Sequence, residues 1–367
     1  MPARRIDAGR LPRLRAATQL LHRPAAARDP AEIAREIAGA QAQDVYAGPL
    51  QFRSRSRRLT AADITRARTE DRSLLRTWVM RMTIHLIPAD DARWWLPLFE
   101  PGIAKWSATR LAQLGMPGQE QRKALTVIAR ALADDGPLTR VEARERVAAA
   151  GTELDQQRGM HLMLSAVVSG IACLGPDRGK TICLVRRHDW LGKAPRFDRD
   201  RALAELARRY LSAFGPATDR DFAYWAGLPL RDVRDGIEAI SRELEDVRVG
   251  AETMLTLRGG PPRLPAQGQV RMLGNFDTYL LGWKNRAFAV SNEHAAHVKE
   301  GGGGWIRPVV VRDGVVVGGW RSSRKGGHLE ISLNLDREMR SELSDAIEAE
   351  VADIARFEGI EATISQS

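Results

Sequence analysis

Apolar positions recur at helical spacing through the middle of the chain. Residues 156–169 carry Met160, Met163, Leu164, Val167 and Val168, the spacing that covers one face of an amphipathic helix. Upstream, residues 120–132 and 138–150 read as two more helices, separated by the break at Asp135-Gly-Pro. The second opens with Thr139-Arg-Val-Glu142, a capping residue followed three positions later by the glutamate of a capping box. Downstream the helical spacing gives way to short apolar runs. Ile171-Ala-Cys-Leu and Thr181-Ile-Cys-Leu-Val flank the turn Gly175-Pro-Asp-Arg-Gly-Lys, which predicts a β-hairpin. Three helices followed by a hairpin predict a winged helix-turn-helix.

The same order recurs. Residues 200–213, 219–226 and 230–243 read as helices, and 247–257 form a wing around Gly250. Two copies in tandem carry more weight than either alone. In the first hundred residues, 11–21, 29–39 and 61–70 read as helices, and the alternating run 77–85 reads as a wing strand. From Pro261 the character changes to a turn region, a segment 270–282, a glycine run 301–304, and strands at 308–312, 315–320 and 328–333. Asp313-Gly314 is a hairpin turn; 336–357 is a closing helix and Ser365-Gln-Ser a disordered tail. The expected fold class is α+β. Tandem winged helix-turn-helix modules occupy 1–110, 111–198 and 199–260, and a C-terminal β-rich domain occupies 261–367.

Composition narrows the function. Of 367 residues, 44% are hydrophobic and 28% charged, a globular balance. The best apolar run, 162–174, is interrupted by Ser165, Ser169 and Gly170 and falls short of the roughly 18 residues of a membrane span. The basic N-terminus has no apolar signal core behind it, so the expected location is cytoplasmic, with the nucleoid as the site in a bacterium. Cys173 and Cys183 sit in apolar runs that suit buried free thiols, and no histidine–cysteine spacing suggests a metal. No metal or organic cofactor is expected. Lys plus Arg total 56 against 46 Asp plus Glu, a formal charge of +10. Such an excess suits a phosphate backbone, although arginine enrichment in a high-GC genome produces the same count.

Candidate chemistry centres on Gly39-Ala-Gln41-Ala-Gln43-Asp44. On a helix the two glutamines would lie on different faces; in an extended segment both could point toward one cleft. A glutamine amide cannot act as a general base at neutral pH, but it can place a water and stabilise developing charge. A capping or surface role is the plain alternative. Just downstream, Gln51-Phe-Arg53-Ser-Arg55-Ser-Arg57-Arg58 reads as a loop or short strand suited to phosphate contacts, with solvated surface as the alternative. Arg76, Arg81 and His85 continue the basic character into the wing, although His85 also suits a buried position.

Together with these motifs, Leu75-Arg-Thr-Trp78-Val-Met-Arg81-Met-Thr83-Ile-His85-Leu-Ile-Pro88, Tyr210-Leu-Ser-Ala-Phe-Gly215-Pro-Ala-Thr218, Trp225-Ala-Gly227-Leu, Phe276-Asp277-Thr-Tyr279-Leu-Leu-Gly282 and Gly314-Val-Val-Val-Gly-Gly-Trp320-Arg321 give the chain its resemblance. It resembles the AlkZ/YcaQ-like winged-helix DNA glycosylases over most of its length. The resemblance implies tandem winged helices around a basic channel and a Gln-x-Gln motif, matched by Gln41 and Gln43, that assists hydrolysis of the N-glycosidic bond of alkylated or crosslinked purine nucleotides. Two positions depart from the pattern. Met82 stands where many relatives have a glycine, and Thr278 where a proline is common.

A cationic alkylpurine is already a good leaving group, so positioning water and stabilising an oxocarbenium-like sugar would suffice. Gln43 is expected to orient the water, Gln41 to support it or touch the sugar-phosphate, and Asp44 to stabilise charge. Asp277 and Trp320 are expected to be structural. The absence of lysine near the motif suits a monofunctional enzyme without a Schiff-base step. The expected partner is damaged double-stranded DNA, with no membrane and no obligate protein partner. A non-enzymatic winged-helix DNA-binding protein is the alternative, and a purely structural scaffold stands behind it.

Overall fold

The computed structural model describes residues 4–23, 28–179, 181–193, 196–259, 264, 266–299 and 305–365. The turn at Pro261, the glycine run 301–304, Lys180 and the final two residues of the tail lie outside them. Two compact units emerge: Ala67–Ala202, and a second assembled from Met1–Arg66 with Leu203–Ser367.

In the unit Ala67–Ala202, helix Gly118–Asp134 buries Ala124, Ile128 and Leu132 at helical spacing. A short strand, Leu138–Thr139, leads into helix Arg140–Ala149, whose Thr139–Glu142 capping box is fully formed. Helix Gln156–Val168 follows, then strands Ala172–Leu174 and Cys183–Arg186. Leu138–Thr139 and Ala172–Leu174 both pair with the last strand, which completes a winged helix. Met160 is the exception to the expected apolar face, at 45% exposure. Gly159 is buried in its place, where a β-carbon would meet the Arg144 side chain at 2.9 Å.

The hairpin Leu74–Trp78 and Ile84–Pro88 joins this wing sheet through the pair Arg76–Leu174. The segment 1–110 is therefore divided between the two units, and a boundary at 110 would cut the continuous helix Ala92–Gln113. The physical reason is strand pairing: Leu74–Trp78 finds a hydrogen-bonding partner in Ala172–Leu174, about a hundred residues later in the chain.

A second winged helix lies in the other unit. Helices Asp219–Ala226 and Leu230–Ala239 are separated by a left-handed Gly227, and strands Leu244–Val249 and Glu252–Leu257 turn at a left-handed Gly250. Ala217 bridges to Leu255, and the N-terminal strand Arg4–Ile6 adds in parallel to Leu244–Val249. Behind it Tyr210, Phe214, Phe222, Trp225 and Trp283 form an aromatic core, with Tyr210 stacked on Phe222 at 4.6 Å.

The C-terminal part is a curled five-stranded sheet, Val270–Leu273, Val309–Arg312, Val315–Lys325, His328–Asn334 and Ala362–Ile364 in that order. Asp313 and Gly314 are both left-handed, as the hairpin turn requires. The expected closing helix is two, Arg337–Glu342 and Ser344–Glu358. The second packs Ile347, Val351 and Ile354 against Met272, Trp320 and Ile331.

Gly282 marks the closest approach in the aromatic core, since a β-carbon there would lie 2.1 Å from the Phe214 ring. Overpacking of this kind costs about 1–3 kcal/mol. Gly282→Ala is expected to lower the unfolding free energy measured by urea denaturation by that amount.

Candidate functional site

The glutamine motif is delivered by a helix stop. Asp29 caps helix Pro30–Glu36, and Ala38 and Gly39 then turn left-handed, releasing the chain into the two-residue strand Ala40–Gln41. The strand ends before the second glutamine. Gln41 is 5% exposed, Ala42 is buried beside it, and Gln43 is exposed. The two amides therefore occupy different environments despite their spacing.

Asp44 is half-buried and fixed by uncharged partners. Its Oδ1 accepts from the N–H groups of Tyr46 at 2.9 Å and Ala47 at 3.2 Å, at the start of helix Ala47–Arg53. Its Oδ2 accepts from Asn275 Nδ2 at 2.9 Å. A carboxylate at a helix N-terminus is favoured by the exposed N–H groups and the helix dipole, and each of these partners is an uncharged donor.

The motif is held from behind by Gln51, fully buried on the same helix. Its Nε2 donates to the Gln41 carbonyl at 2.5 Å, and its Oε1 accepts from the Thr278 N–H at 3.1 Å. Proline at position 278 would lack that N–H. Close packing adds to the clamp, because a β-carbon on Gly48 would meet that of Ala42 at 3.0 Å. Sequence reasoning missed Gln51 and Asn275 as members of the site. Gln51 sat in the right motif, but its partners lie elsewhere in the chain; Asn275, next to Phe276-Asp277, carried no signal of its own.

The arginine run behaves differently from expectation. Residues 47–53 form a helix, not an extended segment, and Arg53 and Arg55 are both 0% exposed. Arg53 Nη1 lies 2.9 Å from Glu350 and 3.4 Å from Asp353, and its Nη2 donates to the Met272 carbonyl. Arg55 grips Asp277 with both Nη atoms, at 2.9 and 2.8 Å, and Nη2 also donates to Gln19. Phosphate contact is thus closed to Arg53 and Arg55, because a buried guanidinium without its carboxylate would be left uncompensated. Around Glu350, burial pushes the carboxyl pKa up, but Arg53, Arg23 and Arg271 outweigh it and hold the group below the usual range. Arg57 and Arg58, the next arginines in the run, are exposed.

Asp277 and Trp320 are interior groups. Asp277 is 0% exposed and also accepts from the Tyr279 N–H at 2.9 Å; Trp320 Nε1 donates to the Leu273 carbonyl at 2.8 Å. Beside Asn275, an open cavity of about 550 Å³ is lined by His297, Trp305, Arg307, Trp320 and Arg321. Asn275 thus faces both this cavity and Asp44.

The remaining candidates sit in the unit Ala67–Ala202. Arg76 is 5% exposed, 3.6 Å from Asp177, with its pKa lowered to about 10 by burial and Arg68. Burial and the nearby Arg81 lower His85 to about 3, so it is neutral at physiological pH, with Nδ1 3.0 Å from the Thr83 carbonyl. His85 is 2% exposed and sits inside the hairpin, which removes it from direct DNA contact. Arg81 is half-buried at the hairpin tip, and Met82 beside it is 42% exposed.

Comparison with known proteins bears on this geometry. A family model described as DNA glycosylase AlkZ-like matches residues 34–357. An interstrand DNA cross-link repair glycosylase from Streptomyces sahachiroi is 30% identical over 307 residues, which span 79% of this chain and 80% of that protein. The solved structure of Streptomyces sahachiroi DNA glycosylase AlkZ superposes with a TM-score of 0.75 at 25% identity, covering 98% of this chain and 100% of that one.

The contrast within the arginine run is measurable. Removing one partner of a buried ion pair typically costs about 3–5 kcal/mol, whereas exposed substitutions stay within about 0.5 kcal/mol. Asp277→Ala is expected to show the first loss in chemical denaturation, and Arg57→Ala the second.

Proposed function

The chain belongs to the AlkZ-like DNA glycosylase family, and from that premise we propose that it is a monofunctional enzyme hydrolysing the N-glycosidic bond of alkylated or crosslinked purine nucleotides in duplex DNA. The observation that carries this reading is the pairing of an exposed Gln43 with an adjacent Asp44 whose carboxylate is held by backbone N–H groups and Asn275.

An N-alkylated purine carries positive charge and leaves readily, so the sugar develops cationic character before water has bonded to it. An anion fixed in advance stabilises that charge without having to reorganise as it forms. Asp44 fills this role: its contacts hold its direction, and none of them neutralises it. Gln43 accepts a hydrogen bond from the attacking water through its amide oxygen and orients the lone pair toward the anomeric carbon. The proton released by water passes to solvent or to Asp44, since an amide cannot take it at neutral pH. Gln41, buried and locked to Gln51 through its carbonyl, sets the direction in which the chain leaves toward Gln43. The first lysine in the chain is Lys105, far from the motif in sequence, which favours hydrolysis over a Schiff-base route. Arg57 and Arg58 supply phosphate contacts that hold the duplex in register.

Purified protein is expected to release 7-methylguanine from alkylated duplex DNA. Gln43→Ala should lower the single-turnover rate by about 100-fold, the scale set by loss of one preorganised group, with DNA affinity unchanged at fixed salt. Retention of the wild-type rate would remove Gln43 from the mechanism; tight binding with no release from either methylated or crosslinked DNA would favour a non-enzymatic DNA-binding protein.

Phosphate contact predicts a separate result. Each lost contact reduces the slope of log affinity against log salt by about 1, so Arg57→Ala with Arg58→Ala should reduce it by about 2 across unrelated sequences.

A further inference from the structure

The hairpin Leu74–Trp78 and Ile84–Pro88 has a tip whose conformation its own folding does not explain. The chain reverses through Met80-Arg81-Met82-Thr83, with the Thr83 N–H bonded to the Met80 carbonyl at 3.1 Å and the Met82 N–H to the Val79 carbonyl at 3.0 Å. Arg81 and Met82 are both left-handed, with φ of 52° and 60°. Two left-handed positions in succession are what a type I′ hairpin turn demands, and that turn selects Asn-Gly, Asp-Gly or Gly-Gly because other side chains crowd the backbone there. This chain places arginine and methionine in those positions.

Burial gives Met82 little compensation for the strain. Every residue of the two strands is buried, and Met80 is 0% exposed, yet Met82 is 42% exposed. An unbranched apolar side chain is therefore presented to solvent on strained backbone, at the turn of a hairpin whose strands belong to a larger sheet. Strain that packing does not repay points to a use outside the fold.

We propose that Met82 is a wedge that enters between adjacent base pairs of duplex DNA, with the Arg81 charge beside it favouring the flanking phosphate. Apolar side chains, methionine among them, unstack a base step and bend the duplex when inserted in this way. A flexible, polarisable thioether makes favourable contact with aromatic ring faces. Duplex DNA is the occupant the charge favours, because the neighbouring residue is cationic and the chain carries an excess of ten positive charges. The wedge rests on the reading of the chain as an enzyme of duplex DNA, and it adds a residue outside the glutamine motif that distorts the duplex.

The test uses an undamaged duplex with 2-aminopurine at a flexible TA or CA step, where unstacking is easiest, titrated with the full-length protein at low salt. Wild type is expected to raise 2-aminopurine emission. Met82→Leu, which keeps an apolar wedge, should stay within about twofold of that rise, whereas Met82→Asn and Met82→Gly should cut it by about fivefold or more while still binding. Asparagine and glycine tolerate a left-handed backbone, so their urea midpoints should equal or exceed that of wild type. Emission that fails to rise with bound wild type, or rises equally with all four proteins, would overturn the wedge and leave the glycosylase reading standing. A lower urea midpoint for both Met82→Asn and Met82→Gly would also overturn it, by showing that the methionine is kept for packing. Absence of duplex binding by wild type would overturn both readings.

Discussion

A guanidinium and a carboxylate removed completely from water are tolerated only when each satisfies the other, and the pair Arg55–Asp277 is built under that constraint. Both side chains are 0% exposed and meet in a two-pronged contact. Arg55 follows the helix Ala47–Arg53, whose start Asp44 holds, and Asp277 lies two residues after Asn275, the group that holds Asp44. Gln51 binds the same two segments through the Gln41 carbonyl and the Thr278 N–H. The motif strand, the helix behind it and the 275–279 turn therefore form one hydrogen-bonded block. Arg53 and Glu350 attach that block to the closing helix of the C-terminal sheet.

This construction accounts for how the site is held. The catalytic groups of the proposed mechanism lie on a short strand and a bend, which would be free to fluctuate if left alone. Preorganisation is what allows an amide and a carboxylate to stabilise developing charge, because groups that must reorient during the reaction lose much of their advantage. Here the carboxylate is immobilised by two backbone N–H groups and one asparagine, and the strand that leads to Gln43 by the grip of Gln51 on the Gln41 carbonyl. The Thr278 backbone takes part directly: it supplies the N–H that satisfies Gln51, which a proline in its place would lack.

Several elements are legible in the sequence. Thr139 and Glu142 form the capping box their spacing announced, and Asp313-Gly314 turns the hairpin as expected. The same reading failed at 47–58 for identifiable reasons. Helix Ala47–Arg53 has no side-chain cap at its Tyr46 start, and its N–H groups are served by Asp44 from further upstream. Without a start signal, alternating arginines look like one side of an extended segment. Met160 shows a subtler failure: helical spacing identified the helix, but Gly159 packed against Arg144 rotates the buried face away from it.

The sequence by itself determined most of the helices, wings and turns, the α+β class, the two complete winged helices and the glutamine motif with its family. Those features depend on neighbours within a few residues, or on motifs that stay together in the chain, so their energetics are written locally. Only the tertiary structure decided which arginines of one run are interior and which face solvent, that Asn275 holds Asp44, and that the first hairpin pairs with a strand about a hundred residues later. The partners of Arg53 and Arg55 lie 297 and 222 residues away. A buried charge is stabilised by whichever opposite charge the fold brings to it, and no local pattern records that choice.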